Sequence, residues 1–157
     1  MNYSEVLGKE LPQINPKIWL EAECFYEIGM SSFDKMEKAL AEDTSISEKM
    51  YLLPATVNMA FACELYLKSL LTDTTGHDLK TLFDKQADVI KSVIKNSIIS
   101  NMENYSESIF EHNLEEIKDV FPTWRYYYEP DKDGLSLNIE FLKLFATALH
   151  SLKELYK

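Results

Sequence analysis

The chain has 157 residues, 46% of them hydrophobic and 27% charged, with a net charge of -10. That length buries one core without metal or disulfide support, and four glycines with five prolines leave little material for the turns of a many-stranded fold. The acidic balance repels phosphate backbones at long range, which disfavours RNA as a ligand and leaves only a local positive pocket as a route to it.

Residues 1 to 14 carry no sustained period and read as an irregular arm. The arm has neither a basic n-region nor an apolar h-region, so a cytoplasmic protein is expected. Residues 15–157 read as one helical domain. Asn15 is a good N-cap and Pro16 suits the first helical position. Trp19, Ala22, Tyr26, Gly29, Phe33, Met36 and Leu40 then recur at spacings of three and four, which predicts a helix ending near Glu42.

Ser45 and Glu48 form a capping-box pattern for a second helical region, in which Pro54 either kinks the helix or restarts it. Beyond Pro54, VNMAFACELYLKSLL is apolar on nearly every side, as a central helix is. Met50 to Leu71 also has the length of a membrane span, but Pro54, Asn58, Glu64 and Lys68 are costly in hydrocarbon, so a core helix and no membrane association are expected.

Thr72 to Asp78 is a loop, and Asp78 caps a short helix through Leu79, Leu82 and Phe83. Ile90, Val93, Ile94 and Ile98 continue a helical period. After a polar break at 101–104, Phe110, Leu114, Ile117 and Phe121 mark a helix that Pro122 stops. Thr123 to Leu137 has no helical period and a turn signal at Asp131 to Gly134, which predicts an ordered excursion. Asn138 caps the last helix, with the stripe Ile139, Leu142, Ala146, Leu149, Leu152 and Tyr156. The fold expected is all-α, an antiparallel bundle of about four long helices plus one or two short ones.

Three motifs could carry chemistry. Glu64 lies four residues before Lys68 on one helix face, and it occupies a seam position where a charge needs a partner from elsewhere in the fold. In Gly76-His77-Asp78-Leu79 the glycine turns the chain and Asp78 caps a helix. His77 is either incidental or a proton donor or phosphate contact. In Trp124-Arg125-Tyr126-Tyr127-Tyr128-Glu129, Arg125 is the only arginine in a chain whose other strongly basic residues are all lysine. The position is therefore expected to demand either the planar bidentate fork of a guanidinium or its stacking on rings. Arg125 either pins the excursion to a core carboxylate, with Glu64 the candidate, or faces a groove and binds a phosphate or an acidic group between tyrosine walls.

PATVNMAFACELYLKSLL followed by GHDLKTLF resembles the central portion of HEPN domains, and FPTWRYYYE resembles the Trp-Arg-Tyr segment before the last helix in some subfamilies. The resemblance implies a helical bundle, often a homodimer, from prokaryotic defence and toxin-antitoxin systems, with a nucleotidyltransferase or an antitoxin as partner. Ribonuclease members carry an Arg followed by four to six intervening residues and a His, whereas here the corresponding positions are Pro130, Asp131 and Lys132.

The expected function is a HEPN-like, non-catalytic binding or regulatory module for a nucleotide, a phosphate-bearing ligand or a protein partner. Its ligand-binding residues would be Arg125, His77, Lys68, Glu64, Asp78, Trp124, Tyr126 and Tyr128. A ribonuclease toxin using Arg125 and His77 from separate segments, and a structural accessory subunit of a larger defence complex, are the alternatives. No cofactor is expected. Cys24 and Cys63 sit in apolar helical stretches as thiols, and His112 and His150 lack a second ligand at metal spacing, so no metal is expected either.

Overall fold

The computed structural model describes residues 10–42, 45–100, 105–126 and 137–157, with the side chains of 45–49 outside that description. The described residues form helices joined by loops, with no strand among them: α1 (Pro16–Ala41), α2 (Ser45–Ser69), α3 (Leu79–Asp84), α4 (Asp88–Ile99), α5 (Glu107–Ile117), α6 (Val120–Trp124) and α7 (Ile139–His150). A 3-10 turn, Ser151–Tyr156, follows α7. The turn signal at Asp131 to Gly134, the break at 101–104 and Tyr128 lie outside the described residues.

α1 starts where the sequence places it, because the Asn15 side chain accepts from the backbone N–H groups of Lys17 and Ile18 and Pro16 fills the first turn. It packs along α2 through Ala22, Tyr26, Gly29, Phe33 and Met36. Leu40, expected on this stripe, is 50% exposed and Ala39 is buried instead, since the 3.6-residue period drifts by the last turn. At Gly29 the two long helices approach closely: a Cβ there would lie 3.1 Å from the Met59 backbone nitrogen.

α2 is the central helix, buried on several sides by Ala55, Met59, Ala60, Cys63, Tyr66 and Leu67. The stretch Met50–Ser69 is long and apolar enough to cross a membrane, and in this fold most of it is core. Pro54 neither ends α2 nor restarts it, because it lies inside one continuous helix. Its carbonyl accepts from Asn58 Nδ2 at 2.7 Å.

Two boundaries differ from the pattern. The helix holding Phe110, Leu114 and Ile117 ends at Ile117, and Phe121 belongs to the separate α6. Pro122 therefore stops nothing: it is the third residue of α6, where its missing N–H would have no intrahelical partner in any case. After His150 the last helix tightens into the 3-10 turn, so Leu152 is buried whereas Tyr156 is 36% exposed. There Tyr156 Oη donates to the Pro12 carbonyl at 2.9 Å, tying the arm to the end of the chain. The Asn15 N–H reaches the Ser69 carbonyl at 2.7 Å.

Candidate functional site

Glu64 is 1% exposed on the α2 face that the sequence marks as a seam. Its Oε1 accepts from Lys68 Nζ at 2.7 Å and from His77 Nδ1 at 2.8 Å. The His77 ring is thus held to the α2 carboxylate through Nδ1 while its side chain is 60% exposed. Glu64 Oε2 is buried with no hydrogen-bond partner. The loop from Thr72 to Asp78 is thereby tied to α2, and Gly76 makes its turn at φ +94, a conformation that side chains rarely adopt.

Asp78 caps α3 by accepting from Thr81 N–H at 2.7 Å, and the Leu79 N–H bonds the Lys118 carbonyl at 2.9 Å. Further along the loop, Asp73 accepts from the Thr75 hydroxyl and from Lys85 Nζ. The Thr75 hydroxyl, Lys85 and the Thr75 N–H together hold the Asp73 carboxyl well below the usual range.

α6 runs along α2 from this loop toward Pro54. Lys118 meets Leu79 beside His77, the Phe121 ring stacks on Phe61 at 4.5 Å, and Arg125 lies over Leu53, Pro54, Val57 and Asn58. Asn58 precedes Glu64, the residue to which His77 is bonded, by six residues, about 9 Å of helix at 1.5 Å per residue. Arg125 and His77 thus contact different stretches of α2, and His77 is not among the described residues that line the Arg125 groove. The expected Arg125–Glu64 bridge is not formed: Lys68 and His77 are the partners of Glu64 Oε1, and Arg125 lies exposed over Leu53 to Asn58 instead.

The Arg125 guanidinium instead sits over two rings, with its carbon 5.2 Å from the Phe121 centroid and 4.7 Å from that of Tyr126. Beneath it is an open groove of about 280 Å3 lined by Leu53, Pro54, Val57 and Asn58. Trp124 turns into the core at 7% exposure and so is no wall of this groove.

A second polar cluster joins residues far apart in sequence. Glu23 Oε1 of α1 accepts from Tyr66 Oη of α2 at 2.7 Å, and His150 Nδ1 of α7 lies 2.9 Å from Glu23 Oε1 and hydrogen-bonds Tyr66 Oη at 2.9 Å. Lys153 Nζ donates to His150 Nε2 at 2.8 Å, and Tyr26 stacks on the imidazole at 4.3 Å. Burial and then the bond to Glu23 push the Tyr66 phenol well above its ordinary range, and burial raises the Cys63 thiol in the same way. Neither Glu23 nor Lys153 has a neighbour in sequence that marks it, which is why the pattern misses this cluster.

Across α4 and α5, Lys95 Nζ bonds Glu107 at 2.8 Å and Glu111 at 2.7 Å, and Lys91 pairs with Asp88, so both lysines are paired at the surface. Among the described residues no group of three or more His, Cys, Asp or Glu side chains gathers as metal ligands.

No family model, no curated protein and no solved structure matches this chain.

Proposed function

We propose that the chain is a HEPN-like, non-catalytic binding or regulatory module of a cytoplasmic toxin-antitoxin or defence system. It acts as a homodimer and engages a nucleotidyltransferase, an antitoxin or a phosphate-bearing ligand. The order of the Glu64-x-x-x-Lys68, Gly76-His77-Asp78-Leu79 and Trp124-Arg125-Tyr126 motifs within an all-helical chain supports the family reading.

The observation that carries the non-catalytic part is that Arg125 stands over Leu53 to Asn58 of α2, whereas His77 is bonded to Glu64, about 9 Å further along that helix. A phosphodiester-cleaving site needs a cation and a proton-transfer group within reach of one scissile phosphate. Here the imidazole is oriented by a buried carboxylate, while the guanidinium stands over an apolar groove elsewhere.

Purified protein incubated with single-stranded RNA is expected to leave it intact. Site-specific cleavage that disappears in His77→Ala would overturn the reading and favour a ribonuclease toxin. Light scattering at high micromolar concentration is expected to give the mass of a dimer.

A further inference from the structure

Met50, Leu53, Pro54 and Val57 recur at spacings of three, one and three along α2, the pattern of an apolar helix face. Here that face runs out to solvent, with Met50 60% and Leu53 37% exposed. Arg125 stands at its edge, and among the described residues no carboxylate lies within ion-pair distance of the guanidinium. Among the described residues the Phe121 and Tyr126 rings engage it through cation–π contact, which uses the face of the guanidinium and not its in-plane N–H fork.

The groove is open and lies at the lower edge of the roughly 300–1,000 Å3 typical of small-molecule pockets, so it suits side chains of a segment laid across the surface better than an enclosed ligand. A free phosphate would satisfy the fork and leave Leu53, Pro54 and Val57 uncovered. A polyanion would also meet the field of a chain carrying -10, whereas one carboxylate set among apolar side chains adds little to that repulsion. A second copy docked groove to groove about a two-fold axis would bring two Arg125 guanidinium groups together, which like-charge repulsion opposes.

We infer that this groove binds an amphipathic segment of a partner protein, with one Asp or Glu carboxylate on the Arg125 fork and apolar side chains against Leu53, Pro54 and Val57. The inference rests on the reading of the chain as a binding module and names the partner chemistry at the Arg125 end of its surface. Docking of an amphipathic helix into an apolar groove with a charged rim is a recurrent recognition mode.

The test is a selection of 12-residue peptides from a random display library on the full chain, followed by fluorescence anisotropy with the selected peptide made synthetically. The enriched peptides are expected to hold an Asp or Glu flanked by apolar residues. Arg125→Gln should weaken binding by about ten-fold or more, the size expected for a charge-assisted bidentate pair. Leu53→Ser should weaken it several-fold, and circular dichroism of both variants checks that they are folded.

Replacing the peptide's acidic residue by its amide should cost the wild type as much as Arg125→Gln does, with no further loss in the variant. An affinity indifferent to Arg125→Gln, the absence of any enriched acidic peptide, or displacement of the peptide by inorganic phosphate or single-stranded RNA would each overturn the inference. So would a change in self-association on Arg125→Gln without peptide. The RNA-cleavage assay decides the binding-module reading separately, so intact RNA together with a failed selection removes this inference alone.

Discussion

Replacing Glu64 by Gln removes a charge while keeping the volume and one acceptor oxygen. Two donors lose an ionised partner: Lys68 Nζ at 2.7 Å, with a side chain 13% exposed, and His77 Nδ1 at 2.8 Å, with a side chain 60% exposed. Hydrogen bonds to charged groups contribute about 1.5–3 kcal/mol. The Lys68 bond sits at the low end of that range, and the His77 bond falls well below it because water screens the ring, to less than about 1 kcal/mol. Against these losses, the neutral amide no longer strands a charge whose Oε2 is buried without a partner.

The balance is a destabilisation of about 1–2 kcal/mol, a fall of roughly 2–8 °C in Tm for a domain of this size. Calorimetric unfolding of wild type and Glu64→Gln at neutral pH measures it. The double variant Glu64→Leu with Lys68→Leu, which removes both charges and leaves no buried ion alone, is expected within about 1 kcal/mol of wild type or above it. A Glu64→Gln protein as stable as wild type would refute the reasoning, since the carboxylate could not then be holding the loop to α2.

Gly29→Val is expected to lower stability by at least about 2 kcal/mol in denaturant unfolding, because even a Cβ meets the Met59 backbone at 3.1 to 3.3 Å and the added methyls force α1 and α2 apart. Tyr66→Phe should cost about 1 kcal/mol at neutral pH through loss of the Glu23 bond. A phenol whose folded pKa is raised contributes stability that is full below the unfolded value of about 10 and is lost as pH rises through the folded value. The stability of Tyr66→Phe, followed by urea titration, should therefore fall less steeply than that of wild type in strongly alkaline solution. Arg125→Lys should change stability by less than about 1 kcal/mol, since the guanidinium is exposed and its neighbours are rings rather than a buried carboxylate. A large drop in Tm would mean that Arg125 serves the fold.

The helix starts were legible because their signals are local. Asn15, Asp78 and Asn138 each accept a backbone N–H within three residues, and such chemistry is written in adjacent letters. Local spacing also exposed the pairing of Glu64 with Lys68 and the need of Glu64 for a partner from elsewhere in the fold.

What failed depended on the relative placement of elements. Nothing in FPTWRYYYE says that α6 lies along α2 with Arg125 at the Pro54 end, so the Arg125–Glu64 bridge was a reasonable expectation with the wrong geometry. Pro122 misled because the same residue stops a helix from its interior and starts one from its first turn. The Glu23, Tyr66, His150 and Lys153 cluster needs α1, α2, α7 and the 3-10 turn to converge, and no single-sequence period reports that.

The hydrogen bond from Tyr156 to Pro12 brings the two ends of the described chain to one corner, beside the C-terminal end of α2 where Asn15 bonds Ser69. The Arg125 groove opens on the N-terminal half of the same helix, and Ser69 follows Asn58 by eleven residues, about 16 Å of helix. A tether attached at Lys157 would therefore leave from the side away from the groove. Immobilised through such a tether, the domain would present Leu53, Val57 and Arg125 to solution.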